Sequence, residues 1–239
     1  MPTLGHRAYL ELRKRLAEGE FPPGSQLVNR TISEKVGMSM TPVREAIARL
    51  ASEGIVHYVP GAGSYVRSVN RQELAQLYDL REVLEPFAAA LAAEQITLNE
   101  LQELRGICKD WRAIVEEMQT AASAHASKQQ MFRWNANERR FHELIIAASR
   151  NTWLIKIVDD LQLMAFSFNP QRGLAEFLTL ANAKTTYRDH SRMLKSLRNR
   201  DAAGIRRLSK RHIHVGRIRV LDFLDKQSTQ QNSGDTAAE

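Results

Sequence analysis

Through most of this chain apolar residues return every three or four positions, the period of a helix with one buried face. Leu4, Ala8, Leu12 and Leu16 fall in register and predict a helix over 4–19, stopped by Gly19 and the turn Phe21-Pro22-Pro23-Gly24-Ser25. Asn29 to Val36 predict a second, short helix, and Gly37 breaks the chain before a third. That third helix, over 39–50, turns Val43, Ala46, Ile47 and Leu50 to one side. Ser39 or Thr41 can cap it, and Pro42 is tolerated because the first turn needs no amide donor there. The period then changes. Ile55-Val56-His57-Tyr58-Val59 and Ser64-Tyr65-Val66-Arg67 flank Pro60-Gly61-Ala62-Gly63, the pattern of a β-hairpin. From Glu73 the helical period returns without a convincing strand. It predicts helices near 73–95, 98–120, 129–149, 151–167, 173–198 and 201–225, with Thr97 and Asp201 as caps and Asn169-Pro170 ending the fourth. The Ala/Ser/Gln-rich stretch 119–130 reads as a frayed helix end or a loop.

These elements predict a mainly α fold in two parts. Residues 1–67 form a winged helix-turn-helix, 68–72 a short polar connector, 73–225 an all-helical bundle, and 226–239 a polar tail without period, expected to be disordered. In a helix-turn-helix the amino-terminal end of the second helix enters the DNA major groove. Here that end carries Ser39, Met40, Thr41 and Arg44, all off the apolar face. An arginine there suits the two acceptors of guanine. Alone, the stretch would read equally well as a capped surface helix; the turn before it and the hairpin after it favour DNA.

Composition narrows the setting. The 239 residues are 43% hydrophobic, enough for a core, and hold no apolar run of about 18 residues, so no membrane span is expected. The first residues lack the layout of a secretion signal, and the single cysteine, Cys108, excludes an intramolecular disulfide framework. Both point to the cytoplasm, and Cys108 reads as a small core residue. The net charge of +7 permits a polyanion partner. It is uneven: residues 1–70 hold 9 basic against 6 acidic side chains, 73–117 hold 4 against 10, and 184–219 hold 12 against 2. Most of these charges are expected to be solvated faces.

Two features of the helical part carry chemistry. Glu138 and His142 stand four residues apart, one turn along a single helix face. His190 and His212 lie on the last two helices, each about 11 residues from the turn Asn199-Arg200-Asp201, so both stand roughly 16 Å up an antiparallel pair. His190 shares a face with Leu194 and Leu197, and His212 with Ile205, Leu208 and Val215, so both point inward. A lone inward histidine is more often a hydrogen-bonded core residue than a ligand. Three with a carboxylate suit a divalent metal: zinc foremost, with nickel, manganese or iron as alternatives. His6, His57, His125 and His214 lack comparable placement.

Residues 16–67 resemble the DNA-binding domain of GntR-family bacterial regulators: the Pro-Gly turn before Leu27, the run Thr41-Pro42-Val43-Arg44-Glu45-Ala46, and Glu53-Gly54-Ile55-Val56 leading into the wing. The resemblance implies DNA contacts by Arg30, Ser39, Thr41, Arg44 and Arg49, with Arg44 nearest the bases. The family usually carries arginine where this chain has Met40, so one phosphate or base contact is missing or replaced by an apolar one, and the wing tip is uncharged. Residues 78–94, 138–151 and 189–213 resemble the helical FCD domain, the sensor of the FadR subfamily. That domain often holds a divalent metal on an aspartate and three histidines, which fall here on Glu138, His142, His190 and His212. Glutamate in place of aspartate sets the carboxylate one methylene further out. The resemblance further implies a small carboxylate effector, with Arg81 and Asn151 as effector-binding residues, although Arg81 can equally pair with Glu85 and Asn151 can simply cap a helix.

The expected function is a ligand-responsive regulator, a repressor that binds double-stranded operator DNA as a homodimer and a small organic acid in its helical part. A regulator with a metal-free pocket for an acyl or apolar ligand is one alternative. A helical metallohydrolase is another, opposed by the lack of a separate inward acid or base.

Overall fold

The structure is a computed structural model that describes residues 3–235, with side chains as far as Lys226. Helices α1 (Leu4–Ala17), α2 (Asn29–Val36) and α3 (Met40–Ser52) follow the apolar periodicity, and β1 (Val56–Val59) pairs antiparallel with β2 (Gly63–Val66). Gly37 closes α2 in the left-handed conformation, at φ 65°. Leu12, Leu16, Ile32, Val43, Leu50 and Ile55 form the floor of this head, all essentially inaccessible. Ser39 occupies the N-cap position of α3, but its side chain makes no capping bond.

The bundle consists of α4 (Arg71–Gln95), α5 (Leu98–Thr120), α6 (Lys128–Ala148), α7 (Thr152–Ser167), α8 (Leu180–Arg198) and α9 (Ala202–Asp235). Three of its starts carry reciprocal capping boxes: Asn70 with Glu73, Thr97 with Glu100, and Ser127 with Gln130. Asp201 caps α9 by accepting from the Gly204 amide at 2.8 Å. Mainly α with a two-stranded wing is the fold class that the sequence predicts.

Two boundaries differ. The helix expected over 173–198 begins only at Leu180; before it lie two 3-10 turns, Pro170–Gly173 and Ala175–Phe177. Phe177 and Leu178 close the second turn, and Thr179 caps α8 through the Asn182 amide. The stretch 121–127 is the loop of the two expected alternatives, and it pins this region through Ala126 N to Leu178 O and Leu180 N to Ala124 O, at 3.0 and 3.1 Å. At the carboxy end, α9 runs ten residues past the expected 225, so the predicted tail falls on its last turns and on residues 236–239, outside the described range.

The head and the bundle share one apolar core, in which Leu163, Ala165, Phe166, Ile213 and Val220 join the residues of α1 to α3. Polar contacts lock the same seam. Arg13 of α1 reaches Asp159 and Asp160 of α7 at 2.6 and 3.1 Å. Glu18, 2% exposed, pairs with Arg139 of α6 at 3.0 Å. Asn135 Nδ2 donates to both Glu18 O and Arg172 O, at 3.0 and 2.7 Å. Gly19, at φ +83°, fits here because a Cβ would stand 2.9 Å from the backbone of Arg172.

Candidate metal centre and nucleic-acid interface

Helix α6 presents Glu138 and His142 one turn apart, α8 supplies His190, and α9 supplies His212. One ligand atom from each of the four lies within 4.8 Å of all the others. Glu138 Oε2 is 3.0 Å from His190 Nε2 and 3.7 Å from His142 Nε2. The imidazole centroids are 4.5 Å apart for His190 and His212, 5.2 Å for His142 and His212, and 5.6 Å for His142 and His190. The two histidines expected to meet across the antiparallel α8–α9 pair do so.

His190 is fully buried among Trp111 and Phe141, with ring centroids 4.1 and 4.6 Å away. Its Nδ1 lies 2.9 Å from the Thr186 carbonyl oxygen, which can only accept, so the proton sits on Nδ1 and the Nε2 lone pair faces the cluster. Behind His142, Glu85 Oε2 stands 3.8 Å from Nδ1 and accepts from Gln162 at 3.0 Å, while Arg81 holds the other oxygen, Oε1, at 2.5 Å. Burial pushes the His142 imidazole well below its usual range and His212 down to about 3, so both are neutral with lone pairs free. Burial alone would raise the Glu138 carboxyl; the contact with His190 at 3.0 Å outweighs it and holds the group well below the carboxylate range.

The donor set therefore fits a divalent cation. Glu138 Oε2 and His190 Nε2 are buried without a hydrogen-bond partner, a costly arrangement for a site meant to stay empty. Four ligands about 2.1 Å from one tetrahedral ion stand roughly 3.4 Å apart, so the widest separations here, within 4.8 Å, would have to close by about an ångström on binding.

A cavity of about 140 Å³ opens onto this cluster, lined by Glu138, His142 and His212 and by Arg81, Arg172 and Arg219. A neighbouring cavity of about 350 Å³ shares Glu138, Arg172 and Arg219 with it. Arg81 is where the resemblance puts an effector contact, but its Nε is engaged by Glu85 while Tyr78 and Phe166 flank the guanidinium. Asn151 is not brought to the site: it is exposed, and its side chain caps α7 through the Leu154 amide. Glu85, Arg172 and Arg219 are additions from the structure. Only Glu85 had a signal in the sequence, as the i+4 partner of Arg81.

At the head, Ser39, Met40, Thr41, Arg44 and Arg49 are all exposed, Met40 by 47%. Among the described residues Arg44 has no side-chain hydrogen bond or ion pair, and it projects from the amino-terminal half of α3, available to a base edge. Arg30, on α2, is exposed and pairs loosely with Glu34 at 3.2 Å. Arg49 is drawn the other way, lying 3.6 Å over the Tyr9 ring and 3.2 Å from Glu53. At the wing, Tyr58 is 68% exposed and His57 stacks on Tyr65. No helix among the described residues is long and apolar enough to cross a membrane.

The solved structure of McbR/YncC from E. coli has the same fold, with a TM-score of 0.79 at 24% identity, covering 95% of this chain and all of that one. Over 95 residues, 40% of this chain, the sequence is 37% identical to the HTH-type transcriptional regulator McbR of Escherichia coli K12; the match spans 43% of that protein's length. It is 30% identical over 166 residues to the gluconate operon transcriptional repressor of Bacillus subtilis 168, covering 70% of this chain and 63% of the repressor. These relatives are named as transcription regulators, and the chain is a regulator rather than an enzyme. Residues 4–66 match the family described as bacterial regulatory proteins, gntR family, and residues 76–215 match the FCD domain. A winged helix-turn-helix head on a helical bundle, matched over both parts, makes this chain a member of the gntR family of bacterial transcription regulators, with an FCD domain behind its DNA-binding domain.

Proposed function

We propose that the chain is a metal-containing, effector-responsive repressor of the FadR subfamily, binding operator DNA as a homodimer through α3. The observation that carries the sensor half is the convergence of Glu138, His142, His190 and His212 from three helices within 4.8 Å, with two of their ligand atoms buried and unpartnered. These four would hold a divalent ion, zinc foremost, and the bound ion supplies an electrophilic face for an effector carboxylate. The chain's own residues set that face. Thr186 O holds the His190 proton on Nδ1, and Glu85 steadies the back of His142. Trp111 and Phe141 shut the inner side to water.

Repression is supported by the name of the gluconate operon relative. The homodimer is supported by exposed apolar residues at helical spacing, Leu80, Val83 and Phe87 on α4 and Trp153 and Ile157 on α7, which packs against α4. A two-fold dimer presents two heads to two half-sites. By linkage, an effector that loosens DNA binding itself binds more weakly to the DNA complex.

Elemental analysis of protein purified without a histidine tag tests the metal, with about one divalent ion per chain expected and its loss in His142→Ala, His190→Ala and His212→Ala. Unchanged metal content in all three variants overturns the site. Gel shifts on the upstream DNA of its own gene, with and without small organic acids, test the regulator: release by an acid supports the reading, and indifference to sequence and acids alike rejects it.

A further inference from the structure

Glu138, the lining carboxylate whose charge acts most on Arg172, is the one the ion would claim, and with it committed the cavity beside the cluster holds more positive charge than its walls neutralise. Arg81 is matched by Glu85, and Asp189 by Arg211 at 2.5 Å and Arg192 at 3.5 Å. In the adjoining cavity Asp222 and Lys226 offset one another in charge. Arg172 and Arg219 remain. Neither has a carboxylate within ion-pair distance among the described residues, and Arg219 reaches only Thr186 Oγ1, at 3.4 Å.

Arg172 is the sharper case. It is 8% exposed, it stacks 4.2 Å over Phe166, and one terminal nitrogen donates to Asn135 O at 3.2 Å. Its Nε is buried with no partner at all. A buried guanidinium lacking an anion is costly, and an arginine fork is shaped to take two carboxylate oxygens. Burial lowers this group to about 10, which leaves it a cation at neutral pH. One carboxylate of a ligand facing the ion would leave that cation unanswered a few atoms away. The 140 Å³ of space is below the roughly 300–1,000 Å³ of pockets for drug-sized molecules, and suits an acid of a few carbons.

We propose that Arg172 is the specificity-determining anchor for the second acid group of a two-headed effector, a short dicarboxylate whose other carboxylate faces the ion. Arg219 adds charge on the same side. The inference rests on the metal-and-carboxylate reading above, and its test separates the two.

The experiment uses the zinc-loaded full-length protein and calorimetric titration with malonate, succinate and glutarate, each against the monoacid of equal chain length (propionate, butyrate, pentanoate). At least one diacid is expected to bind about tenfold or more tighter than its monoacid, the worth of a charge-assisted contact. Arg172→Gln removes that preference and leaves monoacid affinity within about twofold; Arg172→Lys restores part of it. Circular dichroism and zinc content confirm that each variant is folded and loaded. Where Arg172→Gln is not, Arg172→Lys alone decides, its diacid preference falling if the fork is the anchor. Diacids no tighter than monoacids, or equal losses for both in the variants, overturn the assignment of Arg172. Zinc-loaded protein that binds none of the six acids instead rejects the carboxylate reading itself.

Discussion

The DNA-facing end of α3 and the interior of the sensor bundle are assembled on opposite terms. At α3 the functional side chains stand in water, close together in sequence, and the structure beneath them is ordinary apolar packing: Val43, Ala46, Ile47 and Leu50 hold the helix whatever Thr41 and Arg44 do. In the bundle four chemical groups come from three helices, His142 and His190 buried and Glu138 and His212 partly so, and two of their atoms lack hydrogen-bond partners. Function at the head is therefore separable from stability, because nothing in the core depends on Arg44. In the sensor the two are entangled, because uncompensated buried groups cost free energy until a ligand satisfies them.

The largest effect that tests this contrast is on the ion. His190→Ala is expected to abolish bound metal and, by removing a ring packed on Trp111 and Phe141, to lower unfolding stability by about 2–4 kcal/mol beyond the lost ligand linkage. Elemental analysis and chemical denaturation check both, and full metal content in the variant would break the comparison. Next comes Arg44→Ala, expected to weaken operator binding by about 1–3 kcal/mol while metal content and melting temperature stay put. A fall in melting temperature would mean that the head is not separable after all.

A third expectation concerns pH in metal-free protein. His142 and His212 have folded-state values below their ordinary one, so the unfolded chain takes up protons first as pH falls. Stability is then fully present above about pH 6.5 and declines below it, by up to about 1.4 kcal/mol per pH unit for each imidazole. Unfolding titrations of the apoprotein from pH 7.5 to 5 read this directly, and a flat profile would show the imidazoles solvated. The smallest effect returns to the head. Met40→Arg adds one phosphate contact, steepening the logarithmic salt dependence of DNA binding by about 1 with little change in preference among sequences.

The same contrast explains what could be read from the residues alone. Helix periods, the Pro-Gly turn and the hairpin are short-range signals, so the head was legible almost to the residue. Part of the sensor was legible too: a four-residue step fixes Glu138 beside His142, and counting back from one turn sets His190 opposite His212. Arg172 was not. It sits in Pro170–Gly173, a stretch without period that was expected to lead straight into a long helix, and its setting is made by Asn135, 37 positions back, and by the Phe166 ring. Nor could spacing decide between an Arg81 aimed at a ligand and an Arg81 bonded to Glu85; that choice depends on what Gln162 and Phe166 leave room for.

Helix α6 looks in two directions at once. Glu138 and His142 point to the ion cluster, while Asn135 and Arg139, on neighbouring positions of the same rod, grip the end of α1 through Glu18. The backbone around Gly19 and Arg172 is close-set: even one added carbon at Gly19 would stand 2.9 Å from Arg172. Both sets of contacts lie within two turns of one rod, so any turn or slide of α6 at the candidate ion site would also move the groups that hold the root of the first helix.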